Sequence, residues 1–520
     1  QAFGSSSTPP GRTQRAGMMS ESRWLRRCRK IRRGTHFAAV SAVAGLGAWR
    51  GVYHSACVRA LPLLPGGTPP DPTAWTSRRT TAGQRVVAED SIDLAAFVPG
   101  LKDEIRALPR KQKRLRVLRG LVELEEAEQI LRLARSAAFS STEDLANPVV
   151  TPSLILADDG VWRSQDLALA GAVEPVVEDR LLPYMREELC CPSLVVSQVL
   201  LRSYTSNQRR VHKMHFDHNA LGTAVLDLTP CPSSGLFVGS TCSATSQFFA
   251  PLTSPGDVAV HSWDVAHGVR IQENHSRVSL VVWAKPMADV ERGTTSWYEG
   301  PARAGDPDAC YRLGLAAEED EDFEAAREAH LRAAKAGQVF AMQRLYGVLL
   351  RLGDERGALQ WLQRAVEAGS AHAQVEFADF LRREGDLQGA AQHYKVAAAQ
   401  SDPRALQRLA GAYAHGLGVP EDAQKGLQLL WESAGLGWSD AQFVLATTES
   451  GCSPEEARAL LRASAGQGHP GALLARAAEE HRDGDEAEAV RLLRAAAAAG
   501  HPAAEAQLAT FEAAREVANA

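Results

Sequence analysis

Cysteine is scarce in this sequence. The 520 residues contain eight cysteines, and no two of them stand in a Cys-x-x-Cys spacing. This excludes a disulfide scaffold and a zinc ribbon, because both need closely spaced cysteines. Long apolar runs are lacking too: the run from Phe37 to Trp49 is too short to cross a bilayer, and no other stretch resembles a span. We therefore expect no transmembrane segment in the body of the chain.

A strong positive charge is also absent. The formal net charge is −5, which gives no reason to expect nucleic acid as a partner. The charge is unevenly distributed, because residues 1–70 hold eleven of the 57 Lys and Arg residues but one of the 62 acidic residues. A basic leader therefore precedes an acidic body that contains 46 basic and 61 acidic residues.

Residues 1–90 are predicted to be this leader and a flexible linker, because they are rich in Ser, Gly and Pro and have no sustained periodicity. A basic segment before a short apolar run is typical of a secretory signal, which would lead to the endoplasmic reticulum. An Arg-rich, acid-poor segment equally suits an organelle transit peptide. The alternative is a disordered tail on a cytoplasmic protein. The sequence does not begin with methionine, so Met18 or Met19 could be an internal start.

The length of the chain predicts two or three domains, since it exceeds what one hydrophobic core can serve. The first domain is predicted over residues 91–290. It begins with a mainly helical part, from Ser91 to about Leu189, with one helix around Val122 to Ala134 and a second from about Pro175 to Glu188. Pro183 should kink or divide the second helix. Short β-branched runs separated by Pro and Gly turns then predict strands between Leu194 and Lys285, arranged as a β-sandwich or jelly-roll.

An internal repeat fills residues 305–520. Its anchors are a Gly or Ser at each repeat, followed four residues later by Ala and preceded four residues earlier by a small residue. The anchors are Gly337, Gly369, Ser401, Gly437, Gly468 and Gly500, at spacings of 32, 32, 36, 31 and 32 residues. Glycine permits the left-handed helix cap, and small residues let helices approach closely. The pattern predicts an all-α solenoid of stacked helix pairs, against the alternative of one Ala-rich bundle.

One unit of this repeat is especially informative. The segment from Asp402 to Val419, with Ala423 and Trp431 after it, resembles the Sel-one type of tetratricopeptide-like repeat. This resemblance implies that the solenoid binds a protein partner.

The segment most suited to chemistry is His215-Phe-Asp217. On a strand, residues i and i+2 point to the same face, so a histidine and a carboxylate can reach one metal ion. A second histidine from another strand would complete a facial triad that leaves three coordination positions open, as in non-haem iron oxygenases. His267 is a candidate for that position. The alternative, a zinc site in the His212, His215 and His218 spacing, lacks a Cys or Glu to complete it.

An arginine downstream of His267 predicts an anion site. Arg277 begins the apolar strand Arg277-Val-Ser-Leu-Val-Val-Trp283, and it shares one face with Ser279, Val281 and Trp283. A guanidinium on an inward face needs an anion, and its two parallel N–H donors suit the distal carboxylate of a dicarboxylate. The alternative is a structural ion pair.

Residues 115–285, about a third of the chain, resemble the prolyl 4-hydroxylase-like and lysyl hydroxylase-like Fe(II)/2-oxoglutarate dioxygenases. The matching elements are Leu200-Leu-Arg-Ser-Tyr204, His215-Phe-Asp217, His267, and Arg277-Val-Ser279 with Trp283. The resemblance implies a double-stranded β-helix, iron held by His215, Asp217 and His267, and 2-oxoglutarate held by Arg277 with help from Tyr204 and Ser279. It also implies dioxygen as a reactant, ascorbate as a requirement, and a prolyl or other side chain of a protein as the substrate.

The sequence departs from that family at two places. Only Gly235 represents a paired glycine of the middle strand, and His275-Ser276 stands where a glycine often precedes the distal arginine. A second reading of the whole chain is a repeat-based interaction scaffold that carries a degenerate oxygenase domain.

Overall fold

Two antiparallel β-sheets followed by a run of paired helices make up the protein in this computed structural model. The structure describes residues 75–82, 85–93, 114–137, 140–144, 147–162, 166–204, 210–217, 219–231, 234–241, 247–272, 275–448 and 452–509. The basic segment of residues 1–70, in which the sequence predicts a localisation signal, lies outside the described residues. Among the helices that are described, none has the length and apolar character needed to cross a membrane.

The β-region contains a ten-stranded and a four-stranded sheet. The order in the larger sheet is β1-β2-β3-β12-β9-β14-β7-β5-β4, with β6 paired to β5, and the order in the smaller sheet is β11-β10-β13-β8. The strands are β1 (Trp75–Ala82), β2 (Arg85–Asp93), β3 (Arg114–Arg119), β4 (Ser140–Asp144), β5 (Asn147–Asp158), β6 (Val161–Trp162), β7 (Leu194–Tyr204), β8 (Val211–His215), β9 (Gly222–Asp227), β10 (Gly235–Gly239), β11 (Gln247–Phe249), β12 (Val258–Ser262), β13 (His267–Arg270) and β14 (Arg277–Pro286).

Two apolar cores lie on opposite faces of the larger sheet. Successive residues of a strand point to opposite sides, so in β9 Val225 belongs to one core and Ala224 and Leu226 to the other. The inner core lies between the sheets, because it joins Val225 to Leu236 and Val269 of the smaller sheet. The outer core joins the other face to the flanking helices and to the first helical repeats.

The strands predicted between Leu194 and Lys285 are confirmed as β7, β9, β10, β12 and β14. The ordered fold begins before the boundary at residue 91, because β1 and β2 form a hairpin that pairs with β3. The prediction of a linker up to residue 90 is therefore wrong from Trp75 onward. A strand pair is invisible to a search for helical periodicity, and its partner β3 lies more than twenty residues further along.

The prediction of a mainly helical segment over residues 91–189 is confirmed only in part. Helices form at its two expected places, but β3, β4 and β5 also lie there. β5 contains Pro148 and Pro152, which a helix interior excludes, around the β-branched run Val149-Val-Thr151. The second helical stretch is continuous but changes type: a π-helical turn, Val176–Leu181, precedes the α-helix in whose first turn Pro183 lies.

The helices that flank the sheets are short. They are α1 (Leu124–Ser136), α2 (Leu167–Pro175), α3 (Leu182–Glu188), α4 (Met287–Arg292) and α5 (Glu299–Arg303). The amphipathic helix α1 buries Ala127, Ile130 and Ala134 against the outer core, at the three- and four-residue spacings expected of one helix face.

The rest of the chain consists of antiparallel helix pairs. These are α6 (Pro307–Glu319), α7 (Phe323–Lys335), α8 (Val339–Arg351), α9 (Glu355–Glu367), α10 (Ala371–Glu384), α11 (Leu387–Ala399), α12 (Pro403–His415), α13 (Ala423–Gly435), α14 (Ser439–Thr447), α15 (Pro454–Gly466), α16 (Pro470–Asp483) and α17 (Glu486–Ala498). An all-α repeat region therefore follows the β-region, as predicted.

The repeat anchors have the predicted structural roles. All six of Gly337, Gly369, Ser401, Gly437, Gly468 and Gly500 have positive φ angles, between 58° and 95°. The alanines four residues later, such as Ala341 and Ala373, are fully buried, and so are the small residues four positions earlier. Left-handed caps and close helix contacts thus explain why the sequence repeats at these positions.

Ser401 is the exception among the anchors, and it provides a test of the cap. Its φ of 58° strains an L-residue, whereas glycine adopts this conformation freely. We expect Ser401→Gly to stabilise the protein by about 0.5–1 kcal/mol. The reciprocal variant, Gly369→Ser, introduces the same strain at a φ of 82° and should destabilise by a similar amount. Calorimetric melting of both variants checks this, and a loss of stability in Ser401→Gly would contradict it.

Candidate metal centre

The predicted histidine and carboxylate ligands meet at one end of the smaller sheet. His215 ends β8, His267 begins β13, and the two are cross-strand partners. Asp217 lies two residues beyond the end of β8, so it is held by a loop and not by the strand that the sequence predicted. The ligand atoms of His215, Asp217 and His267 all lie within 4.8 Å of one another. Three side chains in this arrangement could hold one metal ion.

Both histidines are oriented for ligation through Nε2. The Nδ1 of His215 lies 2.9 Å from the carbonyl oxygen of Lys213, and the Nδ1 of His267 lies 3.1 Å from that of Val265. A carbonyl only accepts, so each Nδ1 carries the proton and each Nε2 keeps its lone pair. The Nε2 atoms face Asp217, at 3.8 Å for His215 and 3.4 Å for His267.

The electrostatics of the triad favour the charge states that bind a metal. Burial alone would raise the pKa of Asp217, but the neighbouring His267, His215 and His261 and a hydrogen bond from Thr223 hold that pKa well below its usual range. The Thr223 hydroxyl donates to Oδ2 of Asp217 at 2.5 Å. Burial lowers the pKa of His267 to about 4. Near neutral pH the site therefore presents a carboxylate at Asp217 and a neutral imidazole at His267.

Two further histidines extend the triad into a row of four rings. A β-bulge in β8 places His212 opposite Val269 and His215 opposite His267, so both rings lie on the inner side, with centroids 4.3 Å apart. On the other flank, the ring of His261 lies 4.4 Å from that of His267. On a regular strand, residues three apart point to opposite faces, but the bulge brings His212 and His215 to the same side. His218 lies outside the described residues.

His261 and Asp264 are weaker ligand candidates than His267 in the sequence, because only His267 has an arginine at the spacing that the family resemblance implies. The Nδ1 of His261 lies 3.1 Å from the carbonyl oxygen of Ser262, while its buried Nε2 has no hydrogen-bond partner among the described residues. The ring faces the inner side, because His261 pairs with Thr223, the donor to Asp217. A lone-pair nitrogen therefore lies beside the triad. Burial lowers the pKa of His261 to about 4, which keeps it neutral.

Arg277 lies on the inner face of β14, as predicted. Val281, on the same face, pairs with Val225 of the inner core, and Arg277 is four residues earlier. The guanidinium is 1% exposed, and its Nε donates to Oδ2 of Asp227 at 3.0 Å. Its Nη1 and Nη2 are buried with no hydrogen-bond partner among the described residues. Nε of the guanidinium thus forms an ion pair, while the two terminal nitrogens have no hydrogen-bond acceptor among the described residues.

Two hydroxyl side chains and a glycine lie beside Arg277. Tyr204 pairs directly with Arg277 across β7 and β14, and Ser279 follows on the same face. All three are buried. Gly235, at a φ of 122°, faces the guanidinium from the smaller sheet, where an added Cβ would lie 3.5 Å from Nε of Arg277. The three residues predicted to bind the cosubstrate therefore lie together, and the partner that the sequence did not reveal is Asp227.

Both halves of the site fit the groups that the sequence resemblance implies. Two imidazoles and one carboxylate are a set of three ligands that suits Fe(II) and leaves its other coordination positions open. A buried guanidinium with two unpartnered nitrogens suits the far carboxylate of 2-oxoglutarate, because an unsatisfied buried donor is costly unless an acceptor joins it.

No protein-family profile and no curated protein matches this chain. Among solved structures, a Sel1 repeat protein from Oxalobacter formigenes is 22% identical with a TM-score of 0.35, covering 39% of this chain and 92% of that one. An oxidoreductase of the 2OG-Fe(II) oxygenase family from Burkholderia pseudomallei is 17% identical with a TM-score of 0.28, and the match covers 36% of this chain and 91% of that one. The epimerase SnoN, in complex with Fe3+, alpha ketoglutarate and nogalamycin RO, is 11% identical with a TM-score of 0.27, and the match covers 35% of this chain and 83% of that one. At these TM-scores the likenesses carry no functional weight by themselves. The structural neighbours of this chain thus include both Sel1 repeat proteins and 2OG-Fe(II) oxygenases.

Proposed function

We propose that the β-region is an Fe(II)- and 2-oxoglutarate-dependent dioxygenase domain and that its two sheets form a double-stranded β-helix. We place the start of this domain at Trp75 and its end near residue 290, with a repeat domain over residues 305–520. The observation that carries the proposal is the pair of unpartnered Arg277 nitrogens on the inner face, in a region that also holds the His215, Asp217 and His267 triad.

Each residue has a role in this proposal. His215, Asp217 and His267 hold iron on three positions and leave the others open. Arg277 holds the far carboxylate of 2-oxoglutarate, and the Tyr204 and Ser279 hydroxyls help to bind it. Bound Fe(II) and 2-oxoglutarate supply the oxidation, in which 2-oxoglutarate, dioxygen and a C–H bond become succinate, carbon dioxide and an alcohol. The apolar inner core keeps water away from this chemistry.

The proposed substrate is a prolyl or other side chain of a protein, and the repeats are the proposed protein-binding surface. A groove of about 1110 Å³ begins at Val211 and Lys213 of β8, the strand that ends in His215, and continues over the later repeats. Trp438 and Leu473 give it apolar contact surface, and Arg462 adds a cation. A groove that begins on the ligand strand would hold part of a protein chain while another part reaches the triad.

The direct test of the activity is succinate formation. Purified full-length protein with Fe(II) should convert 2-oxoglutarate to succinate, faster with a substrate peptide, and ascorbate should sustain the reaction if the family requirement holds. The second candidate function is a repeat scaffold with a degenerate oxygenase domain. That function would be supported by partner binding without succinate formation and without metal binding.

A further inference from the structure

The residue between two of the proposed ligands contacts the helical repeats. Phe216, which separates His215 from Asp217, is 2% exposed. Its ring centroid lies 5.8 Å from that of Tyr311 in α6 and 6.1 Å from that of Phe340 in α8, the second at an interplanar angle of 84°. Tyr311 and Phe340 are themselves 6.1 Å apart. Three aromatic rings therefore connect the metal-binding segment to the first two repeats, in contacts of the kind that stabilise by about 0.5–1.5 kcal/mol each.

The β-ladder of β8 does not extend to the Phe216–Asp217 segment. β8 ends at His215, so no ladder hydrogen bond of that strand holds the backbone of Asp217. Thr223 holds the side chain of Asp217 by a hydrogen bond, and Phe216, the residue before Asp217, packs against the repeats. An ordered ligand in a loop needs such packing, because a metal site gains affinity only when its ligands are already in place.

Other contacts hold the repeats against this edge of the β-region. The backbone N–H of Val339, at the start of α8, donates to the carbonyl of Thr241 at 2.8 Å. Lys213 of β8 lies 3.7 Å from the carboxylate of Asp402 in a later repeat. Arg210, just before β8, donates to the carbonyl of Gly435. Residues 210–216, which include β8, therefore contact the repeats at Arg210, Lys213 and Phe216.

Arg312 is a buried cation of the first repeat. It follows Tyr311 in α6 and is 5% exposed. Burial lowers the pKa of Arg312, while Tyr311, Tyr298 and the Asp217 carboxylate oppose that effect. The first repeat thus contributes a buried cation as well as aromatic packing.

The geometry points to the first two repeats as a positioning element of the metal site, in which Tyr311 and Phe340 hold Phe216 and thereby place His215 and Asp217. Tyr311 and Phe340 are positioning residues, since they act through Phe216. A protein bound to the repeats would then influence the metal site as well as deliver a substrate. The inference rests on the proposed function of the triad.

The test uses the full chain with Co(II), an air-stable probe for the Fe(II) site. We expect Phe340→Ala to weaken Co(II) binding about ten-fold and to change the visible spectrum of the bound ion, as loss of an outer support does at metal sites. Phe340→Leu keeps most of the apolar volume and should restore both. The matched control is Phe377→Ala, since the ring of Phe377 stacks on Phe380 within the repeats, at 6.1 Å. This control should lower the melting temperature without changing the affinity or the spectrum.

The outcomes separate this inference from the proposed function. Wild-type affinity and spectrum in Phe340→Ala would overturn the inference and leave the triad intact. An equal loss of affinity in Phe377→Ala would also overturn it, because the effect would then be general destabilisation. Absence of Co(II) binding by the wild-type chain would overturn the proposed function, and the inference with it. Phe340→Val provides the same comparison with a smaller cavity if Phe340→Ala does not fold.

Discussion

Asp217→Ala should bind Fe(II) at least a hundred-fold more weakly than the wild-type protein and should form no succinate. Asp217 is the only carboxylate of the triad, and its removal leaves two imidazoles as the protein ligands. A structural zinc site of four ligands is worth roughly 10–16 kcal/mol, or about 3 kcal/mol per ligand, which corresponds to more than a hundred-fold in affinity. Asp217→Asn keeps the shape of the side chain and should lose nearly as much, because the charge is what binds.

His215→Ala and His267→Ala should have effects of the same order. The matched control is His275→Ala, since His275 also lies in the β-region and its Nε2 is 3.0 Å from the carbonyl oxygen of Thr229, outside the triad. Equilibrium metal titration and far-ultraviolet circular dichroism of all variants are the measurements. Retention of metal by Asp217→Ala, or an equal loss in His275→Ala, would refute the ligand assignment.

Arg277→Ala should raise the concentration of 2-oxoglutarate needed for half-maximal succinate formation by roughly thirty-fold or more. Losing one partner of a desolvated, bidentate charge pair costs about 2–5 kcal/mol. Fe(II) binding should persist, because Arg277 is not a ligand. Arg277→Lys should recover part of the loss, since it keeps the charge but not the fork.

The stability of Arg277→Ala does not by itself decide the role of this residue. The substitution leaves the carboxylate of Asp227 buried and unpaired, at a cost of about 3–5 kcal/mol. The matched control is therefore Asp227→Asn, which breaks the ion pair but keeps the guanidinium. It should lower the melting temperature with a much smaller effect on the 2-oxoglutarate requirement. If Arg277→Ala melts early while its 2-oxoglutarate requirement is unchanged, Arg277 serves only as the structural partner of Asp227.

The features that the sequence predicts well are those set by local rules. The left-handed caps at Gly337 and its equivalents follow from the conformational freedom of glycine, and each requires only its own helix end. The inner face of β14 follows from the alternation of side chains, which places Arg277 and Ser279 together. The assignment of His267 as a metal ligand together with His215 comes from the resemblance to a known family.

The features that it misses depend on partners distant in the chain. Asp227 is fifty residues from Arg277, and no sequence pattern near either residue predicts the ion pair. The bulge that brings His212 beside His215 depends on how β8 pairs with β13. The contact of Phe216 with Phe340 joins the β-region to a repeat, and periodicity within either part does not reveal it.

The outer core has a consequence for how the chain unfolds. It extends from the helices beside the larger sheet into the repeats as far as Ala373, whereas the later repeats pack in separate apolar clusters that begin at Val375. Residues that share one core open together, so the first repeats should share the slow amide hydrogen exchange of the β-sheets. The later repeats depend only on their neighbours and should open one after another from the far end. The cooperative boundary of this protein therefore lies inside the solenoid, about two repeats beyond the point where the architecture changes from strands to helices.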